Sequence, residues 1–189
     1  MDSTALLIAD HNRVRGLFTR LKEAQEAENT GTMADLAEQI FTELRVHTTI
    51  AEEIFYPEVR QGDDDLEDMV AEGLEEHHVV DVLIDEAQAL TPGEETWVAK
   101  LTVLIENVEH HAGEEESELF PKVRGVFATA DLEAQARRLE ARKAQLGAPI
   151  MADKEHLSVE DLRRLAQDQE IPGRSSMDRE ELLATVAPG

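Results

Sequence analysis

Two stretches of this 189-residue chain repeat one another, and each begins with a histidine. Residues 47–60 read HTTIAEEIFYPEVR, and residues 111–124 read HAGEEESELFPKVR. In both stretches a glutamate lies five residues after the histidine and a proline lies ten residues after it. Both stretches end in Val-Arg. A duplication of this length restricts the fold, because equivalent segments are expected to form equivalent structural units.

The duplication extends upstream of both stretches. Asp10 and His11 precede Val14 with the same spacing that places Glu76 and His77 before Val80. Each half of the chain therefore has an acid-histidine pair in its first helix and a second histidine near the end of the next. We expect two helical hairpins, related by a pseudo-twofold axis that brings the four histidines to one level of the core.

Apolar residues recur every three or four positions along four long segments and one shorter one, as in amphipathic helices. These predicted helices cover about 3–28, 32–60, 65–90, 94–125 and 130–146. Aromatic residues make up only 4% of the chain, which disfavours strands. Long helices joined by short turns predict an all-α fold, an antiparallel up-down four-helix bundle with a short fifth helix.

One histidine lies on the apolar stripe of each long helix: His11, His47, His77 and His111. A lone histidine in such a place is usually a core residue with a hydrogen-bond partner, but four buried imidazoles would each need one. A shared metal centre would satisfy all four together. Glu115, four residues after His111, faces the same side of its helix and adds a carboxylate.

The resulting pattern, H…HxxxE…H…HxxxE with ELFP-like ends, resembles the hemerythrin-like (HHE cation-binding) domain over about residues 1–146. The resemblance implies a non-heme, carboxylate-bridged centre of two iron ions inside the bundle. It also implies a protein that binds or senses dioxygen, peroxide, nitric oxide or iron itself. The residues that match the family's ligands are His11, His47, His77, His111 and Glu115.

The first repeat departs from that family pattern, because the residue four positions after His47 is Ala51 instead of glutamate. Glu52 lies about 140° around a regular helix from the histidine. A local π-bulge would return Glu52 to the inward face, so we include it among the expected metal ligands. Tyr56 is a second oxygen donor nearby. A site with one bridging carboxylate, a mononuclear site and no site remain alternatives.

Other functions are less well supported by the motifs. A ferritin-like di-iron oxidase uses two Glu-x-x-His pairs, and only Glu75 and His78 fit that spacing. Because Ala51 replaces an expected carboxylate ligand, a regulatory bundle without metal remains an alternative. Gly73 and Asp81 flank His77 where oxygen carriers have an HxxxH motif, which favours a sensor or redox protein. The motifs favour binding over catalysis, with redox activity toward peroxide or nitric oxide as the enzymatic alternative.

Charge and cysteine content exclude further classes. The net charge of −24 repels phosphate backbones, so nucleic-acid binding by the main surface is not expected. The chain has no cysteine, which excludes disulfides and thiolate ligands. We find no secretory pattern at the N-terminus and no apolar run long enough for a membrane span. A cytoplasmic protein without a membrane partner is expected.

Residues 153–189 are predicted to form a separate helical module after a linker at 147–152. Two short helical patterns, about 158–168 and 178–187, flank a turn-forming segment at 170–176. The module resembles the N-terminal domain of transcription terminator Rho, which is related in shape to SAP domains and implies nucleic-acid binding. Nine acidic against five basic residues oppose a strong electrostatic contact with nucleic acid.

Overall fold

The structure is a computed structural model, and the residues it describes form helices and short connecting segments, without a strand. It describes residues 1–147 without a break and, further along, residues 159, 162–163, 166, 173–174, 177–179 and 181–182. The predicted all-α class is confirmed. Across these residues, no helix has both the length and the apolarity that crossing a membrane requires.

Residues 1–147 form seven α-helices, and two short π-helical segments interrupt the second and fourth rods of the bundle. In chain order the elements are α1 (Ser3–Glu26), α2 (Thr30–Ile50), a first π-helical segment (Ala51–Phe55), α3 (Tyr56–Val59), α4 (Asp64–Gln88), α5 (Glu95–Glu114), a second π-helical segment (Glu115–Leu119), α6 (Phe120–Val126) and α7 (Thr129–Gln145).

The four rods of the bundle pair as two hairpins, as the repeat predicts. Helix α1 packs along α2, and α4 packs along α5. Helix α2 continues through the first π-helical segment into α3, and α5 continues through the second into α6. Helix α7 packs against α1, α2 and the first π-helical segment. The bundle with one additional short helix is thus the observed architecture.

Side-chain caps fix where three of the long helices begin. The carboxylate of Asp2 accepts a hydrogen bond from the Ala5 N–H at the start of α1. Asn29 and Asp63 cap α2 and α4 in the same way. Each cap satisfies a backbone donor that the first helical turn leaves without a partner. The caps therefore help to fix the first turns of three of the four helices that carry the histidines.

The histidines separate two apolar clusters along the bundle axis. On one side, α1 and α2 contribute Val14, Phe18 and Leu44 to a cluster that also contains Trp97. On the other side, Leu7, Ile50, Phe55 and Phe120 belong to a second cluster that includes residues of α7. An ionisable layer between two apolar clusters is costly unless its polar atoms find partners.

Each π-helical segment ends two residues before a proline, at Phe55 before Pro57 and at Leu119 before Pro121. The Tyr56 N–H bonds to the Ala51 carbonyl and the Phe120 N–H bonds to the Glu115 carbonyl, five residues back in each case. Proline has no N–H and its ring collides with the carbonyl four residues earlier in a regular helix. We infer that the wider π turn accommodates both prolines while the rod continues toward the turn beyond.

The predicted module at 153–189 and the linker at 147–152 fall mostly outside the described residues, as do most of the two helical patterns within the module. The described residues of this region include three buried apolar side chains, Leu162, Ala166 and Leu182. They form a small apolar cluster with Ala9 on α1. The Rho-type resemblance stays a prediction.

Candidate metal centre

The structure brings the four predicted histidines together in the bundle interior. Each is at most 6% exposed. The ring centroids of His11 and His47 lie 4.9 Å apart, and those of His77 and His111 lie 4.6 Å apart. Glu115, 3% exposed, joins them with its Oε2 atom 3.2 Å from His11 Nε2 and 3.7 Å from His111 Nε2.

The donor atoms of these residues form two overlapping groups, and each group has the dimensions of a metal site. His47, His77 and His111 offer three nitrogens within 4.8 Å of one another. His11, His47 and Glu115 offer two nitrogens and a carboxylate oxygen within the same limit. Imidazole nitrogens together with a carboxylate are a suitable set for iron and for other divalent transition metals.

Several of these buried donor atoms have no hydrogen-bond partner among the described residues. They are Nε2 of His11, both ring nitrogens of His47 and Oε2 of Glu115. A buried polar atom without a partner costs on the order of 1–3 kcal/mol. Three residues that carry this cost at one point of the core, with their unpaired atoms close together, fit a metal ion as the missing partner.

The glutamates five residues after His47 and His111 hold the outer nitrogens of histidines on neighbouring helices. Glu116 Oε1 lies 2.8 Å from His11 Nδ1, and Glu52 Oε1 lies 3.1 Å from His77 Nδ1. When Nδ1 carries the ring proton and donates it to the glutamate, Nε2 is left as a lone pair that points inward. The two halves of the repeat thus perform the same task on opposite sides of the centre.

The acid residues that precede His11 and His77 face the remaining two histidines. Glu76 Oε2 lies 2.6 Å from His111 Nδ1. Asp10 Oδ2 lies 3.9 Å from His47 Nδ1, and its other oxygen accepts a hydrogen bond from the buried Lys143 ammonium of α7. Each of the four histidines therefore has a carboxylate on its Nδ1 side.

Glu52, the sixth residue that we expected to bind metal, lies outside the group of inward-facing donors. The π-helical segment that would return it to the inward face is present, but Ala51, fully buried, takes the inward position. The side chain of Glu52 is 42% exposed and contacts His77 Nδ1. The repeat, which places glutamate at this position in both halves, is the sequence signal that could have indicated this contact.

Tyr56 occupies the space beside Ala51 and supplies a polar atom there. Its hydroxyl donates a hydrogen bond to Glu115 Oε1 at 2.9 Å and lies 3.5 Å from His77 Nε2. Gly73 makes room for it, because a Cβ at that position would lie only 2.7 Å from the Tyr56 hydroxyl oxygen. From the sequence, Gly73 was notable only as the position where oxygen carriers have a histidine. The structure gives a steric reason for glycine there.

Burial and neighbouring charges shift the pKa values of the residues at the centre in different directions. Burial lowers the pKa of His47 to about 4, which favours the neutral imidazole that a metal ion binds. Burial also opposes protonation of His11, but contacts with Glu115 and Glu116 outweigh it and raise its pKa to about 9. Burial would raise the pKa of Glu115, yet the close contact with His11 and the charge of His111 hold it well below its usual value.

A small cavity of about 20 Å³ adjoins the histidines on the side of the first apolar cluster. This volume admits about one water-sized molecule. Its walls combine the four imidazoles with apolar side chains, among them Val14, Phe18, Leu44, Val80 and Val108.

Comparison with known proteins agrees with this geometry. The sequence profile of the hemerythrin HHE cation-binding domain matches residues 2–123. The chain belongs to this family. The hemerythrin HHE region spans α1 to α5, the second π-helical segment and most of α6, and so contains every inward-facing donor described above.

One curated relative of this hemerythrin HHE protein is a DNA nickase from Nostoc sp., 27% identical over 139 residues. The match covers 72% of the present chain and 38% of the nickase, so the chain spans well under two thirds of that relative's length. No solved structure matches the chain significantly.

Proposed function

We propose that this hemerythrin HHE protein holds two non-heme iron ions and binds or senses a small molecule such as dioxygen, peroxide or nitric oxide. The ligands in this proposal are His11, His47, His77, His111 and Glu115. The observation that carries it is the set of buried nitrogen and oxygen atoms that face one another without hydrogen-bond partners among the described residues. Family membership supports a cation, and the mixed imidazole-carboxylate set supports iron.

Iron bound here would supply redox chemistry and open coordination positions for a small ligand. The protein's part is to hold the imidazoles in one orientation, and the carboxylates at their Nδ1 atoms do so for His11, His77 and His111. Tyr56 keeps a proton on its hydroxyl, because burial and the nearby Glu115 raise its pKa well above the usual value. That proton is directed at the Glu115 carboxylate.

The cavity beside the histidines supports a ligand of few atoms. Its volume of about 20 Å³ and its apolar wall leave no room for an organic substrate. The apolar side chains around it limit access of bulk water to the centre from this side. A diatomic molecule or peroxide fits these dimensions.

We further propose that Glu115 would be the carboxylate shared by the two ions, and that Tyr56 would replace the carboxylate missing at Ala51 through its hydrogen bond to Glu115. The Tyr56 hydroxyl is close enough to Glu115 and His77 to act within the same centre. Glu52 then acts through His77 as a positioning residue. The alternative of Glu52 as a direct ligand would require its side chain to turn away from His77 Nδ1.

Iron handling by a ferritin-like oxidase is less well supported. Such sites use two inward-facing Glu-x-x-His pairs. The pair with this spacing, Glu75 and His78, consists of two exposed residues on α4. A metal-free regulatory bundle is also disfavoured, because it would leave both ring nitrogens of His47 buried without a hydrogen-bond partner among the described residues.

Action on DNA is a second candidate because two independent resemblances suggest it. The Nostoc relative is named a DNA nickase, and residues 153–189 resemble a nucleic-acid-binding module. The net charge of −24 opposes binding to a phosphate backbone. Incubating the iron-loaded chain with supercoiled plasmid tests this candidate, with the His111→Ala variant as the control for a metal-dependent cut.

Metal content and the optical spectrum of the purified chain test the main proposal. We expect two iron ions per chain after anaerobic reconstitution with Fe²⁺, and charge-transfer bands in the near-ultraviolet and visible after exposure to air. The His111→Ala variant should lose both. Failure of the wild-type chain to bind iron under aerobic and anaerobic reconstitution alike would overturn the proposal.

A further inference from the structure

A second cavity reaches the metal centre from the opposite side, and its walls are acidic. Its volume is about 80 Å³, room for several water molecules. It lies between α4 and the junction of α5 with the second π-helical segment. The carboxylates of Glu72, Glu76, Glu114 and Glu118 line it.

Two of the proposed iron ligands line this cavity, together with the tyrosine that binds one of them. Glu115, His111 and Tyr56 all line it. Glu115 is 3% exposed, and its Oε2 atom has no hydrogen-bond partner within the described part of the chain. A buried carboxylate oxygen at the end of a water-accessible acidic cavity points to a cation as the species that occupies this path.

Two of the glutamates that line the cavity, Glu76 and Glu114, form a cluster near the surface with His110. The Nε2 atom of His110 lies 3.3 Å from Glu114 Oε1 and 3.7 Å from Glu76 Oε1. One atom from each of the three residues lies within 4.8 Å of the other two, as in a cation site. The His110 side chain is 67% exposed and Glu76 is 22% exposed, so the cluster extends from solvent toward the interior.

Glu76 connects this surface cluster to the buried centre. Its Oε1 atom faces His110, whereas its Oε2 atom accepts a hydrogen bond from Nδ1 of His111, 2.6 Å away. A cation held by Glu76 and His110 would therefore be bound to the same glutamate that contacts His111, a proposed ligand of the centre.

The charge around the centre is uneven, and its negative side is this cavity. Near His11, the partner carboxylate Glu116 is paired with the Arg15 guanidinium at 2.7 Å, and Arg15 also binds Glu109. The second cavity differs: no lysine or arginine lines it or forms an ion pair with its four glutamates in the described residues. A cleft with one sign of charge attracts counter-ions and can raise association rates by about 10- to 10³-fold.

We propose that Glu76, His110 and Glu114 form an outer binding site for a divalent transition-metal cation, Fe²⁺ in the cell, from which the ion moves along the glutamate-lined cavity to Glu115 and His111. Imidazole and carboxylate oxygen together suit such ions. The outer site stands on its own geometry, and its role as an entry route rests on the proposed iron centre.

The rate of iron uptake by the full-length chain tests the route. The His110→Ala/Glu114→Gln double variant is mixed with Fe²⁺ under anaerobic conditions, and protein-bound iron is measured over time. Neither residue is a ligand of the centre, and both lie on the surface of α5. Glu106→Gln, exposed on the same helix and outside the cavity lining, makes the same change of charge as Glu114→Gln and serves as the matched control.

We expect uptake by the double variant to be about tenfold slower, with unchanged final iron content and an unchanged rate in the control. Mn²⁺ titrated into the iron-loaded chain and followed by electron paramagnetic resonance should show one bound ion more in the wild type than in the double variant. Equal uptake rates, or equal Mn²⁺ binding, would overturn the inference while leaving the iron centre intact. A wild-type chain that takes up no iron would instead overturn the proposed function, and the entry route with it.

Discussion

The two repeated stretches, residues 47–60 and 111–124, share a scaffold but place their oxygen donors differently. Both contain a π-helical segment before a proline, and both use a glutamate to hold a histidine of another helix. Both also stack an aromatic ring on that same histidine: Tyr56 on His77 with centroids 5.3 Å apart, and Phe120 on His11 at 6.0 Å.

Two of the positions at which the stretches differ concern the metal centre. Four residues after the histidine, the second stretch has Glu115 and the first has Ala51. Nine residues after it, the first has Tyr56 and the second has Phe120. The half that lacks the carboxylate thus carries the hydroxyl, and this hydroxyl binds the carboxylate of the other half. The two halves therefore share one buried carboxylate, that of Glu115, which the Tyr56 hydroxyl of the other half contacts.

Removing Glu115 should break this arrangement completely. In Glu115→Ala we expect iron affinity to fall by more than about 100-fold, beyond the loss typical of residues that only orient ligands. Ala51 offers no carboxylate in compensation. Iron per chain, measured after equilibrium dialysis against a chelator, gives the result, with Glu106→Ala as an exposed control on α5. Retention of both ions by Glu115→Ala would mean that Tyr56 or Glu52 bridges the centre.

The fit between Gly73 and Tyr56 can be tested by a double-mutant cycle. Gly73→Ala should lower the free energy of unfolding by about 1–3 kcal/mol, because the new Cβ overlaps the Tyr56 hydroxyl oxygen. In a Tyr56→Phe background the same change should cost much less, since the overlapping atom is gone and alanine favours a helix interior by up to about 1 kcal/mol. Chemical denaturation of the four proteins gives the coupling. Equal costs in both backgrounds would show that position 73 does not constrain Tyr56.

The glutamates that hold histidines should matter in both halves, though unequally. Glu52→Ala and Glu116→Ala should each weaken iron binding by about 10- to 100-fold, through loss of orientation of His77 and His11. We expect the larger effect for Glu116, which is less exposed than Glu52 and also binds Arg15. Iron affinities of the two variants, compared with Arg15→Ala, separate the direct contact from the effect of the arginine. A silent Glu52→Ala would show that the first half does not use its glutamate.

Periodicity and the repeat sufficed to predict the helical bundle, its boundaries to within a few residues, and the convergence of the four histidines on one level. These features depend on spacing along single helices, which a sequence displays directly. The repeat also shows glutamate at positions 52 and 116, but it does not show which way those side chains turn.

The same reasoning could not predict the side-chain contacts between different helices. Glu52 points to His77 because Ala51 takes the inward position of the π turn, and Lys143 reaches Asp10 because α7 packs across α1. Both facts depend on how neighbouring rods are rotated about their axes. Tyr56 was recognisable as an oxygen donor, but its fit over Gly73 requires the crossing of α3 and α4.

The closing arginines of the repeat provide the mildest comparison. Arg60 pairs with the exposed Glu67 on α4, whereas Arg124 lies 3.4 Å from Asp2, the less exposed cap of α1. We expect Arg60→Ala to change stability by less than about 0.5 kcal/mol and Arg124→Ala to cost up to about 1 kcal/mol at neutral pH.

The cost of Arg124→Ala should depend on pH because it acts through Asp2. Burial opposes ionisation of Asp2, but hydrogen bonds from Thr4 and Ala5 and the charge of Arg124 outweigh it, so the pKa of Asp2 lies below its usual 3.8. A carboxylate with a lowered pKa stabilises the fold above its unfolded-state pKa, and this contribution is lost as pH falls through the folded-state value. The difference between wild type and Arg124→Ala should therefore be constant from about pH 5 to 7 and vanish near pH 2. Denaturation midpoints across this range measure it, and a difference that persisted in acid would assign the effect of Arg124 to packing, since Asp2 is then uncharged.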